Sequence, residues 1–153
     1  MIDAGELILT EIKQELKKSN IYASHGYGNG SRSDDLHVNI NTNKWKMGRM
    51  GQDPYDAEKC IIGYNYDSTN IEVNVIPAEI AIDFNGIKPQ RIPFRRAIYC
   101  FDINREGAID DAVGIVRYIY NTRKEIMSQN MTKGILICVS MVMLYIMLFI
   151  SAH

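Results

Sequence analysis

Residues 60–76, CIIGYNYDSTNIEVNVI, read as two strands joined by a turn. Cys60 to Tyr66 and Ile71 to Ile76 are rich in the β-branched and aromatic residues that suit a pleated, half-buried surface. Asp67-Ser68-Thr69-Asn70 between them is turn chemistry. A hairpin at this point commits the chain to an antiparallel sheet, and the flanking sequence extends it on both sides.

Upstream, Leu36-His37-Val38-Asn39-Ile40-Asn41 alternates apolar and polar residues, the period of a strand with one buried face. Asn41-Thr42-Asn43 reads as a turn, with Lys44 to Met47 as a returning strand. Asp53-Pro54 opens a short helix through Lys59, because proline suits the first helical position. Downstream, Ile80-Ala81-Ile82-Asp83-Phe84 alternates again and ends at Asn85-Gly86, a pair suited to a type I′ hairpin turn. Its partner, Ile87 to Phe94, contains Pro89 and Pro93; lacking two ladder donors, it should be an edge or broken strand. Ala97 to Phe101 is the last strand.

Helical periods bracket the strands. From Ala4 to Lys18, Leu7, Ile8, Ile12 and Leu16 form one stripe, and Asp3 with Glu6 has the spacing of a capping box. From Arg105 to Ser128, Ile109, Ala112, Val113, Val116, Ile119, Tyr120 and Ile126 form another. The order helix, about six antiparallel strands, helix is that of an α+β domain with its helices on one sheet face.

Residues 134–152, GILICVSMVMLYIMLFISA, contain no charged side chain. As a helix rising about 1.5 Å per residue they reach roughly 28 Å, close to the thickness of a bilayer's hydrocarbon core. Ser140, Tyr145 and Ser151 are the polar interruptions, all tolerated in membrane helices. This segment is expected to be a single transmembrane anchor, joined to a domain of residues 1–130 by a short linker, 131–133. Arg123, Lys124 and Lys133 precede it and no Lys or Arg follows, which places the N-terminal domain in the cytoplasm. So late an anchor would insert after translation, as in a tail-anchored protein.

Charge narrows the function. The chain of 153 residues has a net charge of −1, unlike the strong basic excess of general nucleic-acid binders. Three widely spaced cysteines, Cys60, Cys100 and Cys138, suit reduced thiols better than a disulfide framework. His25 and His37 are isolated from other ligand types, so no metal site and no cofactor are expected. The loop Gly26 to Ser33 is glycine-rich, but it follows a helix and opens a strand, the reverse of the phosphate-binding fingerprints.

Three groups of residues could carry recognition or chemistry. On the strands, His37, Asn39, Asn41, Glu72, Asn74 and Asp83 fall opposite the apolar positions and would share a polar face: a solvated surface, or a recognition surface for a polar ligand. The basic and aromatic residues Trp45, Lys46, Arg91, Arg95 and Arg96 could meet an anion, the guanidinium groups on phosphate and the indole stacked on a base. Asp34, Asp35 and His37 are the alternative, a membrane-tethered enzyme acting on phosphodiesters or nucleotides, although the Glu-x-Lys needed on the next strand is missing. No nucleophile–base pattern is legible. The expectation is therefore a non-enzymatic recognition or assembly module at a membrane. It binds a small anion such as a nucleotide, or a protein partner, through His37, Asn39, Trp45, Lys46, Arg91, Arg95 and Arg96. Homo-oligomerisation through the apolar helix, or a structural role in a viral or membrane assembly, are the other readings.

Overall fold

The computed structural model describes residues 3–26, 34–41 and 58–151. The chain forms two compact units, Met1–Tyr120 and Asn121–His153. The first is an α+β domain with one six-stranded antiparallel sheet.

The first helix, α1, spans Ala4–Lys18, as its periodicity predicts. The Asp3 carboxylate accepts from the Gly5 N–H at 3.2 Å, so the cap forms. At the other end Asn20 adopts φ 57°. Its N–H bonds to the Lys17 carbonyl while the Ile21 N–H reaches back to the Leu16 carbonyl, each at 3.0 Å. This is a Schellman motif, and the buried side chains of Leu16 and Ile21 supply its apolar contact.

The strands are β1 (Ser24–His25), β2 (Leu36–Asn41), β3 (Glu58–Asn65), β4 (Asn70–Ile76), β5 (Gln90–Ile92) and β6 (Arg96–Asp102). Their order in the sheet is β1-β2-β3-β4-β6-β5. The β3–β4 hairpin is the one read from residues 60–76, with Asn65 opposite Asn70. The Asn65 side-chain carbonyl accepts from the N–H groups of Asp67 and Ser68, at 3.0 and 3.3 Å, and so tightens the turn. β5 is short, lies at the sheet edge and is bracketed by Pro89 and Pro93, as missing donors require.

The sequence reading needs several corrections, the first in α1: Leu7, expected in the apolar stripe, is exposed, while Leu9 is buried. Ser24 and His25, assigned to no strand in the sequence, form the opposite edge strand. Glu58 and Lys59, placed at the end of a helix, open β3 instead. The rest of that helix, and the strand expected over Lys44 to Met47, lie outside the described residues. Ile80 to Phe84 form no strand: Ala78–Ile80 is a 3-10 turn, and Phe84 and Ile87 make an isolated bridge. The Asn85-Gly86 turn nevertheless forms with φ 48° and 79°, and Phe84 and Ile87 exchange N–H···O bonds of 3.0 and 2.8 Å. The segment is a flap. Ile80, Ile82, Phe84 and Ile87 lie partly buried on the core, Phe84 against Gly114 and Tyr118. The Tyr99 hydroxyl holds it by donating to the Ile82 carbonyl at 2.5 Å and accepting from the Ile82 N–H at 2.9 Å. Finally, Ile126, expected in the apolar stripe of the last helix, is exposed, while Ile115 is buried.

That helix, α2, runs without a break over Ala108–Ser151, through the residues read as a linker. Asp110 and Asp111 sit in its first turn, where the helix dipole favours negative charge. Its buried residues Ala112, Val113, Ile115, Val116 and Ile119 join Leu9, Ile12 and Leu16 of α1 and the inner sheet residues in one core.

The second unit is the remainder of α2. Its apolar residues from Met131 to Ile150 are exposed, and the helix is long and apolar enough to cross a membrane. Its two serine hydroxyls in the apolar stretch bond back to the helix's own carbonyls. The Ser140 hydroxyl donates to the Leu136 carbonyl at 2.8 Å and Ser151 to the Met147 carbonyl at 2.9 Å, the arrangement that hydrocarbon surroundings demand.

Candidate functional site

Alternation in the strands gives the sheet two faces. Leu36, Val38, Cys60, Ile62, Val73, Val75, Tyr99 and Phe101 form the inner face under the helices. On the outer face, register sets His37 beside Ile61, Ile61 beside Asn74, and Asn74 beside Ile98. The neighbouring rung pairs Asn39 with Lys59 and Lys59 with Ile76. Arg96 stands next to Ala97, the partner of Val75, so Lys59 and Arg96 flank Ile76 from the two sides of β4. Both helices and the flap contribute to the inner core.

This face is not simply solvated. Ile76 is 2% exposed although it is not part of the main core, and His37, Lys59, Asn74 and Arg96 are half-buried. Burial, and then the Arg96 charge, push the Lys59 ammonium below its ordinary value. Burial likewise lowers His37, helped by the Lys59 charge and opposed by Asp35. Three basic groups are thus gathered on one face, at a cost to the ionised forms of Lys59 and His37. Among the described residues, His37 Nε2 and Arg96 Nε are buried without a hydrogen-bond partner. Gly26 closes over the imidazole: a Cβ there would lie 2.1 Å from His37 Nε2, so no larger residue fits. The Gly26 N–H to Asp35 carbonyl bond, 2.9 Å, fixes that approach.

Of the residues singled out in the sequence, His37, Asn39 and Arg96 come together here, with Glu72 and Asn74 on the same face. Asn41 ends β2, and Trp45 and Lys46 lie outside the described residues. The arginines separate. Arg91 pairs with Ala97 and so belongs to the opposite side from Arg96. Arg95 sits in the turn before β6, with its Nε 3.4 Å from a Glu79 carboxylate oxygen. Asp83 lies in the flap near Tyr99, away from the polar face. Lys59 is the residue the sequence reading missed. Carrying the alternation of Cys60 and Ile62 back by one position would have found it.

The adjacent carboxylates also separate. Asp35 lies against Gly63 on the outer face, whereas Asp34 lines a cavity of about 130 Å³ with Asp3, Glu6, Leu9 and His25. The two carboxylates therefore line different surfaces. Among the described residues no group of His, Cys, Asp and Glu could hold a metal ion. Comparison with protein families, curated proteins and solved structures finds no match to this chain.

Proposed function

We propose that the chain is a single-pass membrane protein whose N-terminal domain is a non-enzymatic recognition module on the cytoplasmic side. Its ligand is a small phosphate-bearing anion such as a nucleotide, bound on the outer sheet face by His37, Asn39, Lys59 and Arg96. The observation that carries this reading is the meeting of Lys59, Arg96 and His37, with two buried donors unsatisfied. Half-buried cations of like charge destabilise a domain unless an anion relieves them. A phosphate on this face would pair with the Lys59 and Arg96 charges and remove their repulsion, and the half-buried Ile61 and Ile98 beside them offer apolar surface to the rest of the ligand. Separation of Asp34 from Asp35 favours binding over hydrolysis. The apolar part of α2 supports membrane residence, and Arg123, Lys124 and Lys133 before it support the orientation.

Calorimetric titration of the full chain in nanodiscs with pyrophosphate and with adenine and guanine nucleotides tests the reading. Lys59→Met with Arg96→Gln should weaken binding about tenfold or more, since each lost charge-assisted contact is worth about 1.5–3 kcal/mol. Lys13→Gln with Lys17→Gln should not. Those two lysines edge a separate groove of about 350 Å³ beside Tyr22. Absence of binding, or binding lost only in the second pair, overturns the assignment.

A further inference from the structure

The turn between β5 and β6 presents an apolar ring to solvent in a backbone conformation that disfavours it. Register sets Ile92 opposite Arg96, leaving Pro93, Phe94 and Arg95 as the connection. Phe94 has φ 64° and Arg95 φ 56°, both in the left-handed region that bulky residues rarely adopt. The Phe94 side chain packs on nothing that repays this, being 85% exposed. The turn is nonetheless held by the 2.7 Å bond from the Ala78 N–H to the Arg95 carbonyl, while Arg95 meets Glu79 only in an exposed pair at 3.4 Å that a lipid phosphate would replace. Glycine would relieve the backbone at no loss of packing. A phenylalanine here is therefore explained by something it meets outside the domain.

The surroundings indicate what that is. Phe94 is bracketed by Pro93 and Arg95, and Arg91 is exposed on the adjoining strand. An aromatic ring at a rigid tip with guanidinium groups behind it is the composition of an interfacial membrane contact: the ring enters the acyl boundary and the cations meet lipid phosphates. The same chain carries a helix suited to a bilayer, so its working surroundings include one. We infer that the Pro93–Arg95 tip is a membrane-contacting wedge, with Phe94 inserted at the surface of an anionic bilayer and Arg91 and Arg95 on its phosphates. The contact is separate from the anion site on the outer sheet face and stands or falls without it.

The test uses the full chain reconstituted in nanodiscs of phosphatidylcholine, with and without phosphatidylserine. Phe94→Trp, read as the difference from the unmodified chain, should show a blue-shifted emission relative to detergent. Brominated phosphatidylcholine should quench it, more strongly when phosphatidylserine is present. Arg91→Gln with Arg95→Gln should remove the dependence on phosphatidylserine. In the unmodified chain, amide exchange at residues 94–96 should slow in phosphatidylserine discs; this readout does not depend on the variant's folding. Unshifted, unquenched emission together with unchanged exchange overturns the proposal. Equal protection in detergent and in discs also overturns it, in favour of a protein partner or a second copy of the chain.

Discussion

On the helix-covered face of the sheet, Leu36, Val38, Cys60, Ile62, Val73, Val75, Tyr99 and Phe101 are at most 2% exposed. On the opposite face the same strands present His37, Asn39, Lys59, Glu72, Asn74 and Arg96, half-buried or exposed and interleaved with Ile61, Ile76 and Ile98. The first set is explained by stability alone: apolar volume excluded from water, with the Tyr99 hydroxyl satisfied by Ile82. The second is not. Burial and then the Arg96 charge depress Lys59, and burial and then Lys59 depress His37, so the ionised forms of these two groups are disfavoured in the folded domain. One face of this sheet is selected for holding the domain together, and the other tolerates unfavourable electrostatics that a ligand would relieve.

Each face carries one cysteine in the strands, which gives the sharpest contrast. Burial pushes the Cys60 thiol from 9.0 up to about 12, cutting its thiolate fraction about a thousandfold. Cys100 is exposed, though burial and then Glu72 raise its pKa. A maleimide or disulfide reagent at mildly alkaline pH should label Cys100 in the folded protein and reach Cys60 only after unfolding. Comparable rates at the two sites, read by peptide mass spectrometry, would break the assignment of faces.

Truncating the inner face should come next in size. Ile62 stands between Leu36 and Val73 in the register and is fully buried, so Ile62→Ala should cost about 2–5 kcal/mol in denaturant unfolding. On the outer face Lys59→Met should change stability by less than about 0.5 kcal/mol, or raise it by removing repulsion from Arg96. Similar losses from both changes would mean that the outer face is structural.

The smallest effect is a pH slope. Burial and Lys59 hold His37 below 6.5, with Asp35 opposing them, so the folded domain resists protonating it. Between that lowered value and 6.5 the unfolded chain binds more protons. The ligand-free protein should therefore lose a little stability as pH falls through this window, and His37→Asn should flatten that slope. A bound anion favours the imidazolium, so anion affinity should rise over the same fall in pH. Thermal unfolding and titration at pH values on either side of 6.5 check both signs.

Much of the fold was legible because its signals are local. Asp3 before an apolar stripe, the Asn85-Gly86 pair and the prolines around β5 act within a few residues of themselves, and each behaves as its chemistry dictates. The alternation of Ile80, Ile82 and Phe84 misled because a flap lying across Tyr99 and α2 also buries its apolar side chains, without pairing with a neighbouring strand. The candidate site on the outer face was only half legible. Alternation placed His37 and Asn39 on one face, but Arg91, Arg95 and Arg96, close in sequence, read as a single cluster that a turn and a one-residue change of face divide.

The sequence by itself determined an amphipathic α1, a central antiparallel hairpin, a proline-limited edge and an uncharged helix long enough for a bilayer, since periodicity, capping and charge are properties of neighbouring residues. Only the tertiary structure decided which charges meet. Lys59 and Arg96 are distant in the chain and act on each other because β4 lies between β3 and β6. His37 is desolvated in part because Gly26, earlier in the chain, lies against its imidazole. Strand order and register come from long-range pairing and burial, which the period of a single strand does not encode, and they turn scattered basic residues into a site.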